Sequence, residues 1–288
     1  IIIIVKLIYL LSKRIYLNNS YKSKRSKAIN INQIDEKYFQ HEYEKKIDAS
    51  YKKKLSRILI FGNSLFLSRG REILTNYTKM GKKKFLYKLK KFKNKNLITN
   101  PEVEMIDKGS WAIDEKSNRF FHWFTDTLTR ISLADTDNYP LLVNERLLDI
   151  HYVKDSLNLL GINYRSYDPE KYYTVNNLEL ISHTAESGNY NNLAINNIAN
   201  SFKALSKSSS VPKKNLWISR EFARHRKITN YKELNPVFEE YNFKVVYPEK
   251  NSLIENINLF KSAEIVAGLH GAGLVNMLYM EEKTNVLE

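Results

Sequence analysis

The chain of 288 residues is 43% hydrophobic and 27% charged, a composition that excludes a disordered protein and allows one large globular domain or two ordinary ones. Lysine and arginine number 46 against 31 acidic residues, and the net charge of +15 favours polyanionic partners, although an AT-rich genome would bias the composition in the same direction. The absence of cysteine excludes disulfides, cysteine–zinc sites and thiol nucleophiles.

The first 56 residues are predicted to form a basic N-terminal arm. Its opening run, Ile1 to Leu11, is apolar except for Lys6 and is shorter than the ~20 residues of a membrane span, so we expect an interfacial or buried segment. This run would be the remnant of a longer anchor or of an upstream strand. From Ser12 to Ser56 the sequence is polar, rich in lysine and weakly periodic, which predicts a mobile arm or a loosely packed helix.

Residues 57–205 are predicted to form a first α/β domain on the acceptor side. The stretch RILIFGNSLFL at 57–67 predicts two strands joined by a turn. Apolar residues at helical spacing between 85 and 92, with lysines on the other face, predict a basic amphipathic helix that lies on an anionic membrane or on the protein core. Further predicted elements are helices at 120–134, 145–160 and 191–205, with Gly161 as a helix stop, and strands at 139–143, 162–167 and 178–182.

The segment 206–214 concentrates serine, lysine and proline and is predicted to be a linker. After it, residues 215–288 alternate regularly between strands at 215–219, 243–247, 264–269 and 285–288 and helices at 231–241, 252–263 and 272–280. Such alternation predicts a parallel sheet with helices on both faces. The segment before the linker alternates less cleanly, and two such domains side by side would leave a cleft between them.

Glycine is scarce, with nine residues in the chain, yet three of them crowd into the run GLHGAG at 268–273. The preceding strand should deliver this run to the carboxyl edge of the sheet, where ligands bind in parallel α/β folds. Glycines there would allow positive φ and close approach of backbone N–H groups, and the following helix N-terminus would suit a phosphate. His270 would donate to a phosphate or sugar oxygen. The alternative is a tight β–α turn with a structural histidine.

Three blocks of sequence carry recognisable motifs: SNRFFHWFTDTLTRI at 117–131, WISREFARHRKITN at 217–230, and GLHGAGLVN at 268–276, followed by VLE at 286–288. Together they resemble the motifs of glycosyltransferase family 61. The matching positions are Asn118, His122, Trp123, Asp126 and Arg130 in the first block, Ser219, Arg220, Arg226, Ile228 and Asn230 in the second, and Gly268, His270, Gly271, Ala272, Gly273, Leu274 and Asn276 in the third. Thr129 stands where the family has proline.

This resemblance implies a GT-B architecture, in which two Rossmann-like domains with parallel sheets face a central cleft. The C-terminal domain of 215–288 would hold the nucleotide sugar and the N-terminal one would face the acceptor. The resemblance also implies inversion at the anomeric carbon and no metal or other cofactor. Because the family continues beyond its VLE motif, we expect the C-terminal domain to be incomplete.

Specific roles follow from this resemblance and from the chemistry of the side chains. Arginines stay charged and bind two phosphate oxygens at once, so we expect Arg220, aided by Arg224 or Arg226, to stabilise a departing nucleoside diphosphate. Glu288 would accept from a ribose hydroxyl. The complete predicted donor-binding set is Ser219, Arg220, Arg224, Arg226, His270, Gly271, Ala272, Gly273, Asn276 and Glu288. A solvated basic helix start is the structural alternative for the arginines.

His122 and Asp126 lie four residues apart and share one face of their predicted helix. Such a pair can orient and activate a base for an acceptor hydroxyl, although a buried structural hydrogen bond would need the same two residues. The DTD string at 135–137 imitates a metal-binding motif but falls in a polar loop outside the matched blocks. We therefore predict no metal.

Three functions were weighed against the sequence. The preferred one is transfer of a sugar from a nucleotide-sugar donor, expected to be UDP-linked, to a glycan or lipid-linked glycan. We expect this reaction in bacterial capsule or lipopolysaccharide synthesis at the cytoplasmic face of the membrane, with an anionic membrane surface as a further partner. The second is a non-catalytic protein that binds nucleic acid or another polyanion. The third is an esterase-type hydrolase, for which the string GNSLF at Gly62 lacks the second glycine of a nucleophile elbow.

Overall fold

The computed structural model describes residues 13–62, 64–66, 103–207 and 213–288. Its strands are β1 Ile15–Tyr16, β2 Tyr21–Lys24, β3 Glu44–Ile47, β4 Tyr51–Phe61, β5 Ser64–Phe66, β6 Val103–Trp111, β7 Leu141–Asn144, β8 Tyr164–Tyr167, β9 Tyr172–Ile181, β10 Lys214–Ile218, β11 Phe243–Val246, β12 Ala263–Gly268 and β13 Asn285–Leu287. Its helices are α1 Gln33–Phe39, α2 at 120–131, α3 Glu145–Leu148, α4 His151–Leu159, α5 Asn192–Ala204, α6 Tyr231–Glu240 and α7 Leu253–Lys261. Three 3₁₀ helices span Gln40–Glu42, Pro248–Lys250 and Ala272–Tyr279.

Contacts divide the chain into two compact units. The first contains the described residues up to Val153 together with Gly161–Ile195. The second contains Lys154–Leu160 together with Asn196–Glu288. Both units combine helices with sheets that contain parallel strands, so the predicted α/β fold class is confirmed.

The first unit is built on a sheet with the strand order β1-β4-β9-β6-β7-β8, and β5 pairs with β4. The adjacent pairs among β9, β6, β7 and β8 are parallel. Strand β4 is antiparallel to each of its partners, β9, β1 and β5. The parallel sheet that the resemblance implies for this half is therefore present only in part, because one side of the sheet is antiparallel. The predicted strand–turn–strand at 57–67 is confirmed for its described residues, and its short connection at Gly62 requires antiparallel pairing.

The N-terminal segment also differs from its prediction. Residues 13–56 were expected to form a mobile arm or a loosely packed helix. They contain a helix without buried residues, α1, but also strands: β2 pairs with β3 in antiparallel direction, and β1 adds to the main sheet through Tyr16 and Tyr51. In β2 and β3 only Ser23 and Ile47 are buried, and the charged residues are exposed or half-buried. Such strands show little alternation of hydrophobic and polar residues, so the sequence pattern alone does not predict them.

The second unit has a sheet of four strands in the order β11-β10-β12-β13, and every described pair in it is parallel. The predicted alternation is confirmed, with strands and helices within a few residues of their expected bounds. Helix α7 begins at a capping box in which Ser252 and Glu255 bond each other's backbone N–H groups. Leu253, Ile257 and Phe260 of that helix are buried.

Two further predictions differ in detail. The helix expected at 145–160 is divided into α3 and α4, with the predicted stop at Gly161, whose φ of +64° is the left-handed conformation that glycine adopts at helix ends. The helix expected at 272–280 is present as a 3₁₀ helix. The predicted apolar run 1–11, the amphipathic helix around 85–92 and most of the linker lie outside the described residues. Within the described part of the chain, no helix has the length and apolar character needed to cross a bilayer.

Candidate functional site

Helix α2 carries the first group of predicted site residues. It has three parts, an α-turn Phe120–His122, a π-helical turn Trp123–Thr127 and an α-turn Leu128–Ile131, so the predicted buried helix is confirmed with a widened centre. The N–H of Leu128 donates to the carbonyl of Trp123, five residues earlier. Residues from Trp123 to Ile131 are all buried. Such π-turns occur frequently at functional sites because they redirect side chains within a helix.

The structure brings His122 and Asp126 together, as the sequence predicts. His122 Nδ1 lies 2.9 Å from Asp126 Oδ2, and the hydroxyl of Ser187 lies 2.7 Å from the same oxygen and 3.0 Å from Nδ1. Because Ser187 donates its hydrogen to Asp126, Nδ1 must itself carry a hydrogen to bond either neighbour. The lone pair of the neutral ring is therefore on Nε2, for which the described residues provide no hydrogen-bond partner. This is the tautomer that a general base requires.

A second polar cluster lies deeper in the same unit. Asp114 accepts a hydrogen bond from the backbone N–H of Lys116 at 2.8 Å, and its Oδ2 lies 3.1 Å from His183 Nε2. The guanidinium of Arg130 is fully buried. Its Nη1 lies 3.9 Å from Asp114 Oδ2 and 3.2 Å from His183 Nε2. Burial alone would raise the pKa of Asp114, but the hydrogen bond with His183 and the charge of Arg130 lower it to about 2. Arg130 also donates to the carbonyl of Ile181 at 2.8 Å. The cluster therefore joins α2 to the segments that follow β6 and β9.

The second group of predicted residues lies at the carboxyl ends of the strands in the second unit. Arg220 follows β10, His270 follows β12 and Glu288 follows β13, and the register pairs Ile218 with Gly268 across β10 and β12. The strand order reverses between β10 and β12, since β11 lies on one side of β10 and β12 on the other. Open parallel sheets bind ligands at such a switch point, in the crevice beyond the carboxyl ends of the strands. Arg220 lies on one side of this switch point, and the bend formed by residues 270–273, the HGAG bend, lies on the other.

The guanidinium of Arg220 is held in a fixed position by its own loop. Its Nε donates to the carbonyl of Arg226 at 3.2 Å and its Nη2 to the carbonyl of His225 at 2.9 Å, and Arg226 adopts a left-handed φ of +59°. Within the described part of the chain, Nη1 has no hydrogen-bond partner. Burial, and then the positive charge of Arg226, lower the pKa of Arg220, while Glu249 opposes this. An anion bound at Nη1 would relieve the repulsion between the two guanidinium groups.

The glycines of the HGAG bend serve a purpose different from the predicted one. None of Gly268, Gly271 and Gly273 lies in the left-handed region, and the φ of Gly271, 175°, is that of extended backbone, so the predicted use of positive φ is not observed. A Cβ at Gly271 would lie 1.9 Å from Arg220 Nη1, and a Cβ at Gly273 would lie 3.1 Å from Ile218. The cluster of glycines therefore allows the arginine and the β10 strand end to lie directly against the bend.

The remaining predicted donor-binding residues take several positions. His270 Nδ1 forms a short hydrogen bond with the Glu288 carboxylate, and both side chains are exposed. Arg224, Arg226 and Ala272 are exposed, whereas Ser219 is buried and accepts from Glu221 N at 3.2 Å. Asn276 is fully buried and donates to the carbonyl of Gly273 at 2.8 Å. The structure thus brings together Arg220, Gly271, His270 and Glu288, and it directs the Asn276 amide into the protein.

The DTD string at 135–137 forms a local turn. The carboxylate of Asp135 accepts from the backbone N–H and the side-chain amide of Asn138 at 3.0–3.2 Å. These bonds lower the pKa of Asp135. Across the described ranges, no group of three or more histidine, aspartate or glutamate side chains has the geometry of a metal site.

Comparison with known proteins assigns the family. The family model described as Glycosyltransferase 61 matches residues 120–287, which is more than half of the chain. The chain belongs to glycosyltransferase family 61. It is therefore a glycosyltransferase, which takes a sugar donor and a glycan acceptor, as the first of the three hypotheses predicts. No curated protein gives a significant match to the chain.

One residue of α2, Thr129, departs from the motif that the first block of sequence resembles. Thr129 occupies the position of the family's proline, and its hydroxyl lies 3.0 Å from the carbonyls of both Thr125 and Asp126. A proline in a helix leaves the carbonyl four residues earlier without its N–H partner. Thr129, unlike proline, keeps its backbone N–H, and its hydroxyl is a further donor to these carbonyls; the hydroxyl also lies 2.9 Å from the hydroxyl of Thr184.

Sequence reasoning missed three polar residues of the first unit: Asp114, His183 and Ser187. They lie in the connections after β6 and β9, outside the motif residues to which roles were given. The one available signal was that polar residues follow two strands of a predicted α/β domain, where parallel neighbours end at a common edge. Pairing of β6 with β9, which brings these connections together beside α2, was not predicted.

Proposed function

We propose that this glycosyltransferase moves a sugar from a nucleoside-diphosphate donor, a UDP-sugar in the simplest case, to a hydroxyl of a glycan, with inversion at the anomeric carbon and without a metal ion. The observation that carries the proposal is the position of Arg220, whose guanidinium is held by two loop carbonyls against Gly271 at the switch point of the parallel sheet. A diphosphate there would meet a preorganised cation, which favours the charge that develops on the leaving group.

The acceptor side of the reaction is assigned to His122. Its Nε2 would take the proton of the acceptor hydroxyl while the hydroxyl oxygen attacks the anomeric carbon and the bond to the diphosphate breaks. Asp126 would hold the ring through Nδ1 and stabilise the imidazolium that forms. The donor would be held by Arg220 and the HGAG bend, with Glu288 and His270 as contacts for ribose or sugar hydroxyls.

The finer parts of the biological setting are further proposals. We propose that the two units form a GT-B arrangement, with the donor on the second unit and the acceptor on the first. We also propose a lipid-linked or polysaccharide acceptor in bacterial capsule or lipopolysaccharide synthesis, at the inner face of the membrane. The net charge of +15 supports an acceptor or surface that carries negative charge.

A thermal-shift screen with nucleoside diphosphates, followed by donor-hydrolysis assays, tests the proposal. We expect UDP to raise the melting temperature of the wild-type chain and the Arg220→Ala variant to lose this shift. Lys227→Ala removes an exposed cation of the same loop to which no donor-binding role is given, and it serves as the matched control, which should keep most of the shift. Unchanged melting of the wild type with every nucleotide would contradict a nucleotide-sugar donor.

A further inference from the structure

Ser187 is the third member of the His122–Asp126 cluster, and it comes from a separate part of the chain. It lies in a turn after β9, in which Asn189 N donates to the carbonyl of Glu186 at 2.9 Å. Gly188, the third residue of this turn, has a φ of +89°, which glycine adopts without strain and which type II turns require. The turn therefore presents Ser187 in one backbone conformation.

The turn is also braced from outside. Arg25 Nη2 donates to Asn189 Oδ1 at 2.7 Å and to the carbonyl of Gly188 at 3.3 Å, while its Nη1 bonds Glu42 at 2.8 Å. The guanidinium fork is planar and rigid, so bonds to two successive residues fix the turn better than one flexible contact would. A serine that only faced solvent would not need this support.

The bonds of Ser187 point to a role in the reaction. Its hydroxyl donates to Asp126 Oδ2 at 2.7 Å, whereas the other carboxylate oxygen of Asp126 has a longer bond of 3.2 Å from Thr125. Asp126 Oδ2 is also the oxygen that accepts from His122. We propose that Ser187 is a positioning residue, which holds the Asp126 carboxylate so that His122 keeps its hydrogen on Nδ1 and directs the Nε2 lone pair toward the acceptor.

This inference rests on the proposed function, since it assigns Ser187 a part in that reaction. In the transfer step the acceptor proton moves to His122 Nε2 and later leaves to solvent, the acceptor oxygen bonds the anomeric carbon, and the diphosphate leaves with the electrons of the broken bond. Ser187 neither gains nor loses a proton in this sequence. Its hydroxyl stabilises the carboxylate that balances the imidazolium.

The same loop offers a matched control for a purely structural role. The Thr184 hydroxyl lies 2.9 Å from the Thr129 hydroxyl and joins the loop to α2 without any bond to His122 or Asp126. Thr184→Val keeps the shape of the side chain and removes this bond. If Ser187 only anchors the loop, Ser187→Ala and Thr184→Val should have similar consequences.

The kinetic test is a double-mutant cycle on transfer to a glycan acceptor. We expect Ser187→Ala to lower kcat about tenfold with little change in the donor KM, because one hydrogen bond to a charged group is lost from the transition state and not from donor binding. Ser187→Thr should recover most of the rate and Thr184→Val should keep it. In an Asp126→Ala background, Ser187→Ala should cause no further loss. An unchanged kcat in Ser187→Ala, or an additive loss in that background, would overturn the inference.

A second readout does not depend on turnover, so it separates this inference from the proposed function. We expect NMR of histidine-labelled protein to show a downfield imidazole Nδ1–H resonance that disappears in His122→Ala. This resonance should broaden or vanish in Ser187→Ala and persist in Ser187→Thr and Thr184→Val. Its persistence unchanged in Ser187→Ala would overturn the inference even if the enzyme is active. Its loss, together with an inactive wild type, would contradict the proposed function and leave the positioning of His122 by Ser187 supported.

Discussion

The two units place polar side chains in opposite ways. In the first unit, Arg130 is fully buried and Asp114 nearly so. The two side chains lie 3.9 Å apart, and Arg130 also donates to the carbonyl of Ile181. In the second unit, His270 and Glu288 are exposed at strand ends, and the Nη1 group of Arg220 faces a glycine backbone. Buried charged groups must find their hydrogen-bond and ion-pair partners inside the protein, whereas charged groups at a strand end can find such partners on a bound ligand.

His122 lies between these two extremes. One side of its ring is fixed by Asp126 and Ser187, while the side chain keeps 16% of its surface exposed. The first unit thus holds the His122 ring through hydrogen bonds to interior polar groups, and the second has polar side chains exposed at its strand ends.

Removal of the proposed base should affect chemistry and not donor binding. We expect His122→Ala to lower the rate of sugar transfer by about 10²- to 10⁴-fold, the usual contribution of general base catalysis. Steady-state transfer assays with a glycan acceptor measure this effect. His151→Ala, which removes an exposed histidine at the start of α4, is the control and should keep the wild-type rate. Equal rates for the two variants would remove His122 from the mechanism.

Removal of the buried guanidinium should affect stability. Arg130→Met leaves Asp114 without its guanidinium neighbour, and loss of one partner of a buried pair typically costs about 3–5 kcal/mol. Urea unfolding followed by tryptophan fluorescence measures the free energy of unfolding. Arg146→Met breaks an exposed ion pair with Glu170 and should cost about 0–1 kcal/mol. Similar losses for both variants would show that the buried cluster is not a stabilising feature.

The same cluster should make the first unit sensitive to acid. The folded pKa of Asp114, about 2, is below its ordinary value of 3.8, so its contribution is fully present above about pH 4 and is lost as the pH falls through 2. This contribution amounts to about 2 kcal/mol. We expect the free energy of unfolding to fall between pH 4 and pH 2, and Asp114→Asn to flatten the curve in that window. A wild-type slope that survives in Asp114→Asn would assign the acid sensitivity to other carboxylates.

The smallest effect concerns the glycine at the edge of the second unit. A methyl group in Gly271→Ala would lie 1.9 Å from Arg220 Nη1 and must displace the guanidinium. We expect about tenfold weaker nucleotide binding, since one charge-assisted contact is misplaced. Met277→Leu changes an exposed residue of the following 3₁₀ helix and should bind like the wild type. Wild-type affinity in Gly271→Ala would mean that the fit of Arg220 against the bend is irrelevant to the donor.

Much of the second unit could be predicted from sequence, because its strands and helices alternate with strong hydrophobic patterns and each lies close to the next in the chain. The first unit was harder to predict. Its sheet combines strands distant in sequence, such as β4 with β9, and the pairing direction leaves no mark in a single strand. The π-turn in α2 has the same residue pattern as an ordinary helix, so only the structure reveals it.

The candidate site shows the same division. Arg220, His122 and Asp126 were predicted from motifs and from their places on strand ends and helix faces. The place of Ser187 beside His122 and Asp126 could not be predicted, because it depends on the turn at Gly188 and on Arg25, which is more than 160 residues away in sequence. The glycines of the bend were predicted to be needed, yet the physical reason is contact with Arg220, and such a contact requires the fold.

We propose that the second unit binds the diphosphate and that the first unit activates the acceptor. Calorimetric titration of UDP into the wild type, Arg220→Ala and His122→Ala tests it most directly. The account predicts that His122→Ala binds UDP with the wild-type affinity and that Arg220→Ala binds at least about tenfold more weakly, since a charged contact to the diphosphate is lost. Wild-type affinity in Arg220→Ala, or lost affinity in His122→Ala, would contradict this division of roles.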